Sequence, residues 1–167
     1  GAQRLAQLFN VMLLPDDAEH LALLRRLQPG AITQFTMGGL DAAVAAARSV
    51  QHAGPIPMLV SGDVEGGTIC LDGATPMPNQ LGMAALPDPQ DYQRALGVMA
   101  DEARAIGIDW TFSPDIDVNA DFRSTIVGTR SFGASAPRVA QLGAMHIATV
   151  QSAGLAATAK HWPGEGF

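Results

Sequence analysis

The chain is short of the residue types that would mark several common function classes. Its 167 residues hold one cysteine, Cys70, which excludes an internal disulfide, and a lone thiol without neighbouring Cys/His ligands builds no zinc site. Free cysteine is usually a small buried or loop residue, and that is the expectation for Cys70. Cations are scarce too: 10 Lys+Arg stand against 16 Asp+Glu, a formal net charge of −6, and aromatics make up 5%. With no basic stripe interleaved with aromatics, nucleic acid is not an expected partner, and a neutral or cationic ligand fits better. No run approaches the roughly 18 apolar residues of a membrane span, and the opening GAQRLAQLFN has no signal-peptide core. The first residue is not Met, so the compartment, cytoplasm or periplasm, stays open.

What the chain does have is apolar content, 47%, enough for a sizeable single core at this length. Short apolar runs alternate with longer helical ones. Leu8 to Leu14 reads as a strand, followed by a helix capped by Asp16 or Asp17, with Leu21, Leu24 and Leu27 on one face and Pro29-Gly30 at its end. Ala31 to Phe35 and Pro57 to Val60 read as strands on either side of an Ala-rich helix from Leu40 to His52. Thr68 to Pro89, with four prolines and Gly73 among its residues, reads as a long loop with little regular structure. Beyond it come a helix from Pro89 to Ile106, a strand from Asp109 to Phe112, a helix from Ser135 to Ala153 and a last strand from Leu155 to Ala159. No repeat, low-complexity tract or Ser/Gly linker divides the chain, so 1–167 is expected to be one unit.

About five strands with helices between them imply an α/β fold with a parallel sheet, because parallel neighbours need crossovers. A doubly wound sheet and a partial (β/α)8 barrel of the TIM type both satisfy the pattern; a complete barrel takes roughly 250 residues. In either, ligands sit at the carboxyl ends of the strands. Three such ends carry polar residues: Gly62-Asp63-Val64-Glu65-Gly66-Gly67, then Asp115 and Asp117, then Lys160 and His161. Carboxylates accept hydrogen bonds where Lys, Arg and His donate them, a mixture that suits a polyhydroxylated ligand. Arg130, between small residues in GTRSFG, can present a guanidinium to a ligand oxygen. The same carboxylates with His161 would suit a divalent metal, but no HxH, HExxH or DxDxDG spacing is present and Lys160 would repel the ion. No metal and no cofactor is therefore expected. Asp115 and Asp117 also read as turn formers after Ser113-Pro114. Neither a Walker A loop nor a dinucleotide loop occurs at Gly66-Gly67.

Taken together, GDVEGG (62–67), GIDWTFSPDIDVN (107–119), IVGTRSFG (126–133) and GLAATAKHWPGEG (154–166) resemble, in order and spacing, the N-terminal barrel domain of glycoside hydrolase family 3. The resemblance covers essentially the whole chain. It implies the N-terminal part of an exo-acting retaining β-glycosidase that removes terminal β-linked N-acetylglucosamine or glucose through a covalent glycosyl-enzyme intermediate, with a carbohydrate as the small-molecule substrate. Carried over by position, Asp63, Arg130, Lys160 and His161 are the residues expected to hold the hydroxyls of the nonreducing-end sugar. The family's nucleophilic Asp and its proton donor lie in later segments. No catalytic residue is therefore expected within 1–167, the fragment is expected to be inactive alone, and the open edge of an incomplete barrel would favour association.

Two departures concern the branch of the family. Where hexosaminidase-like members carry arginines after EGG, this chain has Thr68 and Leu71. Where they read PGHG, it has Pro163-Gly164-Glu165-Gly166, and Glu165 reads as a solvated loop residue. The chain is placed nearer the β-N-acetylhexosaminidase branch, with β-glucosidase or exo-glucanase as the alternative. Outside the class, a metal-dependent α/β-barrel lyase or hydrolase and a noncatalytic sugar-binding half-barrel remain as competing readings.

Overall fold

The computed structural model describes residues 1–35, 39–67, 71–121 and 123–166. Cys70 and Thr68, both singled out in the sequence, lie outside the described residues. Four strands form one parallel sheet in the order β1 (Asn10–Met12), β2 (Ala31–Thr33), β3 (Leu59–Gly62), β4 (Trp110–Thr111). Each strand reaches the next through helix: α2 (Ala18–Leu27), α3 (Leu40–Gln51), then α4 (Gln80–Ala84) with α5 (Pro89–Ala105), while α6 (Ala136–Ser152) follows β4 and a short α1 (Ala2–Ala6) precedes β1. Parallel neighbours with helical crossovers are the α/β arrangement expected from the alternating pattern. The sheet does not close on itself among the described residues; β1 is its open edge.

Local signals explain most element boundaries. Asp17 caps α2 by accepting from the His20 backbone N at 2.9 Å, and the helix ends at Gln28 in the left-handed conformation. Asp88 caps α5 by accepting from the Gln90 N, with Pro89 in the first turn, where its missing N–H costs nothing. Ser135 precedes α6 as expected but makes no side-chain cap bond. The buried faces follow helical spacing: Tyr92, Leu96, Met99 and Ala103 on α5, Val139, Leu142, His146 and Val150 on α6.

Two apolar clusters result. The larger joins Leu24, Val50, Ile32, Val60 and Ile108 with Met99 and Ala103 between sheet and helices. The smaller packs Met83, Tyr92, Leu96, Phe132, Val139 and Leu142 under α4, with Tyr92 edge-on to Phe132 at 5.7 Å.

Two expectations need correction. Leu155 to Ala159 is not a strand: beside β4 and its extension it forms two isolated parallel bridges, Trp110 with Ala156 and Asp115 with Lys160, with a hydrogen bond from the Thr158 N to the Ser113 carbonyl between them. β4 is two residues long, and Pro114 beyond it offers no N–H, so the ladder breaks into patches. The Pro-rich stretch 68–89 is not wholly irregular either. Asn79 accepts from the Gly82 N at 2.9 Å and starts the five-residue α4 within it.

Candidate functional site

The site grows out of the carboxyl ends of β3 and β4 and the bridged segment beside them. β3 ends at Gly62, and Asp63, Val64 and Glu65 continue it before the chain turns at Gly66 and Gly67, whose φ angles are 104° and 62°. A Cβ on Gly66 would stand 2.5 Å from the Pro78 carbonyl oxygen, so both the turn and the close approach require glycine there. The turn leaves Glu65 buried and pointing at two cations. Its Oε1 and Oε2 accept from Arg130 Nη2 at 2.8 Å and Nε at 2.9 Å, a two-pronged guanidinium contact. Lys160 Nζ lies 2.5 Å from the same Oε1 and donates to Asp63 Oδ1 at 2.8 Å.

Arg130 closes a 3₁₀ turn, Gly128–Arg130, that is anchored on both sides. Asn119 Nδ2 donates to the Gly128 carbonyl at 3.2 Å, and Ser131 Oγ donates to the Asp117 carbonyl at 2.5 Å. The buried carboxamide of Gln80, at the start of α4, donates to the carbonyls of Asp115 and Arg130 while its oxygen accepts from the Asp115 N at 3.1 Å. One side chain thus ties the 128–130 turn to the end of β4.

Asp115 and Asp117 part company in role. Asp115 Oδ1 accepts from the Asp117 N at 3.0 Å, the turn-forming contact expected from the sequence. Its Oδ2 is buried without a hydrogen-bond partner, 3.9 Å from both Arg130 Nε and His161 Nδ1. Asp117 accepts from His161 Nδ1 at 2.6 Å and from the His161 N at 3.2 Å through Oδ2, and from the Glu165 N at 2.6 Å through Oδ1. Glu165 itself is exposed, as a solvated loop residue would be.

Burial and partners set the charges. Burial pushes the Asp115 carboxyl up to about 6; the hydrogen bond from the Asp117 N opposes this, the Asp117 carboxylate adds to it, and Arg130 pulls the other way more weakly. Asp117 is also raised by burial, but hydrogen bonds from His161 and the Glu165 and His161 backbone outweigh it and hold the group below the usual carboxylate range. Glu65 follows the same logic: burial opposes its ionisation, Arg130 and Lys160 overcome it, and the net direction is down. Arg130 is raised correspondingly by Glu65.

Behind this rim runs a second, buried chain of polar groups. Tyr92 Oη meets His146 Nδ1 at 2.7 Å, Ser113 Oγ meets His146 Nε2 at 3.0 Å, and Ser113 meets Thr111 Oγ1 at 2.8 Å. Burial lowers the His146 pKa to about 3, so the ring is neutral and links α5, α6 and the end of β4 as an uncharged spacer.

The four residues singled out in the sequence, Asp63, Arg130, Lys160 and His161, therefore lie on one rim and in one set of polar contacts. Glu65, Asp117 and Gln80 complete it. The first two are strand-end carboxylates that the sequence also offers, as acceptors or metal ligands and not as substrate-holding positions; nothing in the sequence marks a buried Gln80. Two cavities, each of about 540 Å³, flank the network, one bordered by Asp117, His161, Trp162 and Pro163, the other by Gly66, Gly67, Asn79, Ile126 and Arg130. Both fall within the range of small-molecule pockets.

Asp115, Asp117 and His161 place donor atoms within 4.8 Å of one another. A metal bound to both His161 and Asp117 would need roughly 2 Å to each and hold the two atoms near 3 Å apart or wider. They stand at 2.6 Å, in a hydrogen bond, with the Arg130 guanidinium facing the remaining carboxylate oxygen. The spacing is that of a hydrogen bond between the two side chains rather than of two ligands on one ion.

Comparison with known proteins fits this geometry. The profile of the family described as "Glycosyl hydrolase family 3 N terminal domain" matches residues 2–167. A protein of Cellulomonas fimi named beta-N-acetylglucosaminidase/beta-glucosidase is 39% identical over 166 residues, 98% of this chain and 29% of that protein. A beta-hexosaminidase of Idiomarina loihiensis is 34% identical over 125 residues, 71% of this chain and 37% of the relative. Among solved structures, a family 3 beta-N-acetylglucosaminidase of Paenibacillus sp. str. FPU-7 superposes with a TM-score of 0.88 at 29% identity, over 99% of this chain and 33% of its own. The beta-N-acetylhexosaminidase of Beutenbergia cavernae does so with a TM-score of 0.85 at 27% identity, over 99% of this chain and 54% of its own. The chain thus spans about a third of the length of the curated relatives it matches. Of the two positions that depart from the hexosaminidase-like pattern after EGG, Leu71 is buried in the larger core cluster, away from the rim.

Proposed function

The chain belongs to glycoside hydrolase family 3, and from that membership we propose that residues 1–167 form the sugar-holding part of an exo-acting retaining β-glycosidase. Its substrate is a glycoside with a terminal β-linked N-acetylglucosamine or glucose, the two sugars carried in the name of the Cellulomonas fimi relative. The single observation that carries the reading is the Asp63–Lys160–Glu65–Arg130 chain of contacts at the strand ends, with His161 and Asp117 beside it. Acceptors and donors alternate along it, and each hydroxyl of a sugar both donates and accepts.

In this assignment Asp63 accepts from a sugar hydroxyl through Oδ2, the oxygen not engaged by Lys160, while Lys160, Arg130 and His161 meet the neighbouring oxygens. Contacts of this kind accelerate the reaction only where they tighten as the ring flattens toward the oxocarbenium-like state, which supplies several kcal/mol in glycosidases generally. Residues 1–167 hold and orient the sugar; the nucleophile and the proton donor that retention requires are assigned to neither Asp115 nor Asp117, which are engaged with each other and with His161.

The test is direct. The protein as its gene encodes it should hydrolyse nitrophenyl β-N-acetylglucosaminide, nitrophenyl β-glucoside or both, and proton NMR of the first product should show the β-anomer. Turnover of neither, or release of the α-anomer, would overturn the reading. Purified 1–167 alone should show no turnover of either substrate.

A further inference from the structure

We propose that Asp117 is a positioning residue that fixes His161 as the Nδ1–H tautomer, so that its outward nitrogen, Nε2, acts as a hydrogen-bond acceptor toward the ligand. The inference rests on the reading of His161 as a sugar-holding residue and adds the polarity of that contact. A carboxylate can only accept, so the 2.6 Å contact from His161 Nδ1 to Asp117 Oδ2 places the ring proton on Nδ1. Asp117 stays ionised because it accepts three hydrogen bonds at once, from the His161 ring, the His161 N and the Glu165 N. In the neutral ring the second nitrogen then carries a lone pair. Nε2 makes no hydrogen bond among the described residues, and His161 borders the cavity shared with Trp162 and Pro163.

The same carboxylate grips both ends of the turn that carries the histidine. Residues 161 and 165 are held by its two oxygens, and the turn between them holds Pro163 and Gly164. A merely structural clamp would need the two backbone contacts alone. The ring contact is the part with a functional consequence, because it decides which hydroxyls can sit opposite His161. A hydroxyl facing Nε2 must donate; a fluorine in its place, which can only accept, fits no better than hydrogen. Opposite Lys160 and Arg130, which donate, fluorine keeps part of the contact.

The experiment uses ¹⁵N-histidine-labelled protein as its gene encodes it, near pH 8, where free imidazole is neutral, together with Asp117→Asn. Two-bond ¹⁵N–¹H spectra should show His161 as the Nδ1–H tautomer in the wild type. In Asp117→Asn the amide nitrogen faces the Glu165 N when it takes the place of Oδ1 and the His161 ring and N when it takes the place of Oδ2; the second orientation requires the Nε2–H ring, so a mixture of tautomers should replace the single Nδ1–H form. Alongside, the KM for the nitrophenyl glycoside should rise at least tenfold with a smaller change in kcat, and a deoxyfluoro series of sugar inhibitors should lose its one position where fluorine equals hydrogen. An Nε2–H ring in the wild type overturns the proposal, and so does an unchanged tautomer with an unchanged KM in the variant. Should Asp117→Asn not fold, the wild-type spectrum and the wild-type fluoro series decide. Absence of all turnover would refute the proposed activity while the tautomer result still stands on its own.

Discussion

Replacing Glu65 by Gln tests whether one buried carboxylate organises the two cations of the rim. The glutamate side chain is 2% exposed, that of Lys160 14% and that of Arg130 23%, so solvent screens the set only in part. Three contacts converge on the carboxylate, two from Arg130 and one from Lys160. The amide keeps one oxygen and turns an N–H toward a cation, so about two charge-assisted hydrogen bonds are lost, each worth roughly 1.5–3 kcal/mol. Asp63 still meets Lys160, and Arg130 can lean toward Asp115, which offsets part of the loss. About 3 kcal/mol of stability should disappear, in line with the range for breaking a buried pair on one side.

With a urea slope of about 2 kcal/mol per molar, that is a fall of roughly 1.5 M in the unfolding midpoint. The sign of the pH dependence supplies an internal control. Glu65 has a folded pKa below its ordinary 4.5, so its contribution is fully present above 4.5 and is lost as pH falls through the folded value. The gap between wild type and variant should therefore be largest at neutral pH and shrink in acid. A loss under about 1 kcal/mol at pH 7, or a gap that does not shrink in acid, would refute the role given to Glu65.

His146 predicts a second pH effect. Its pKa falls from an ordinary 6.5 to about 3, so the folded state binds fewer protons and its contribution is present above 6.5 and lost as pH falls toward 3. Asp115, pushed up to about 6 from 3.8, acts with the opposite sign, gaining stability as pH falls between those values. The stability difference between wild type and His146→Gln should thus narrow by up to about 1.4 kcal/mol per pH unit below 6.5; urea titrations in which it stays constant would count against a neutral buried ring. Glycine substitutions give a paired test by thermal denaturation. In Gly30→Ala the new Cβ would stand 2.2 Å from the Gln7 carbonyl oxygen, so Tm should fall by an amount matching about 1–3 kcal/mol. Gly97→Ala meets no atom within 4 Å inside α5 and should gain up to about 1 kcal/mol; shifts of the same sign at both positions would contradict the geometry.

Sequence reading was most reliable where a local rule and a long-range pattern agreed. α2, α5 and α6 announce themselves by Asp16 or Asp17, Pro89 and Ser135 at the head of helical apolar spacing, and the structure keeps those bounds to within a residue or two. Strands β1 to β3 were legible as apolar runs between turn signals, though β1 and β2 are shorter than their runs and β3 begins and ends two residues later than Pro57 to Val60. Leu155 to Ala159 failed as a strand because strand formation depends on the partner, and the partner here is a two-residue strand followed by a proline. α4 was hidden because five residues are too few to show a period.

For the site, the strand-end rule located the rim but not the pairing within it. Whether Asp63 or Glu65 would be the buried partner of Arg130 depends on which way the chain leaves β3, and Gly66 fixes that only through its contact with Pro78. Asp115 and Asp117 share one motif, yet Asp115 leaves its Oδ2 without a partner while Asp117 accepts three hydrogen bonds, and the donors to Asp117 stand more than forty positions away.

That separation in sequence has a kinetic meaning. Lys160 meets Asp63 across 97 residues and Arg130 meets Glu65 across 65, so neither contact can form until most of the loop-closure entropy between them has been lost. Assembly of the rim after the folding barrier, rather than on the way up to it, is the expected order. Substitutions there should leave the refolding rate nearly unchanged and appear almost entirely as faster unfolding. The lifetime of the native chain, more than its speed of formation, is what these ions govern.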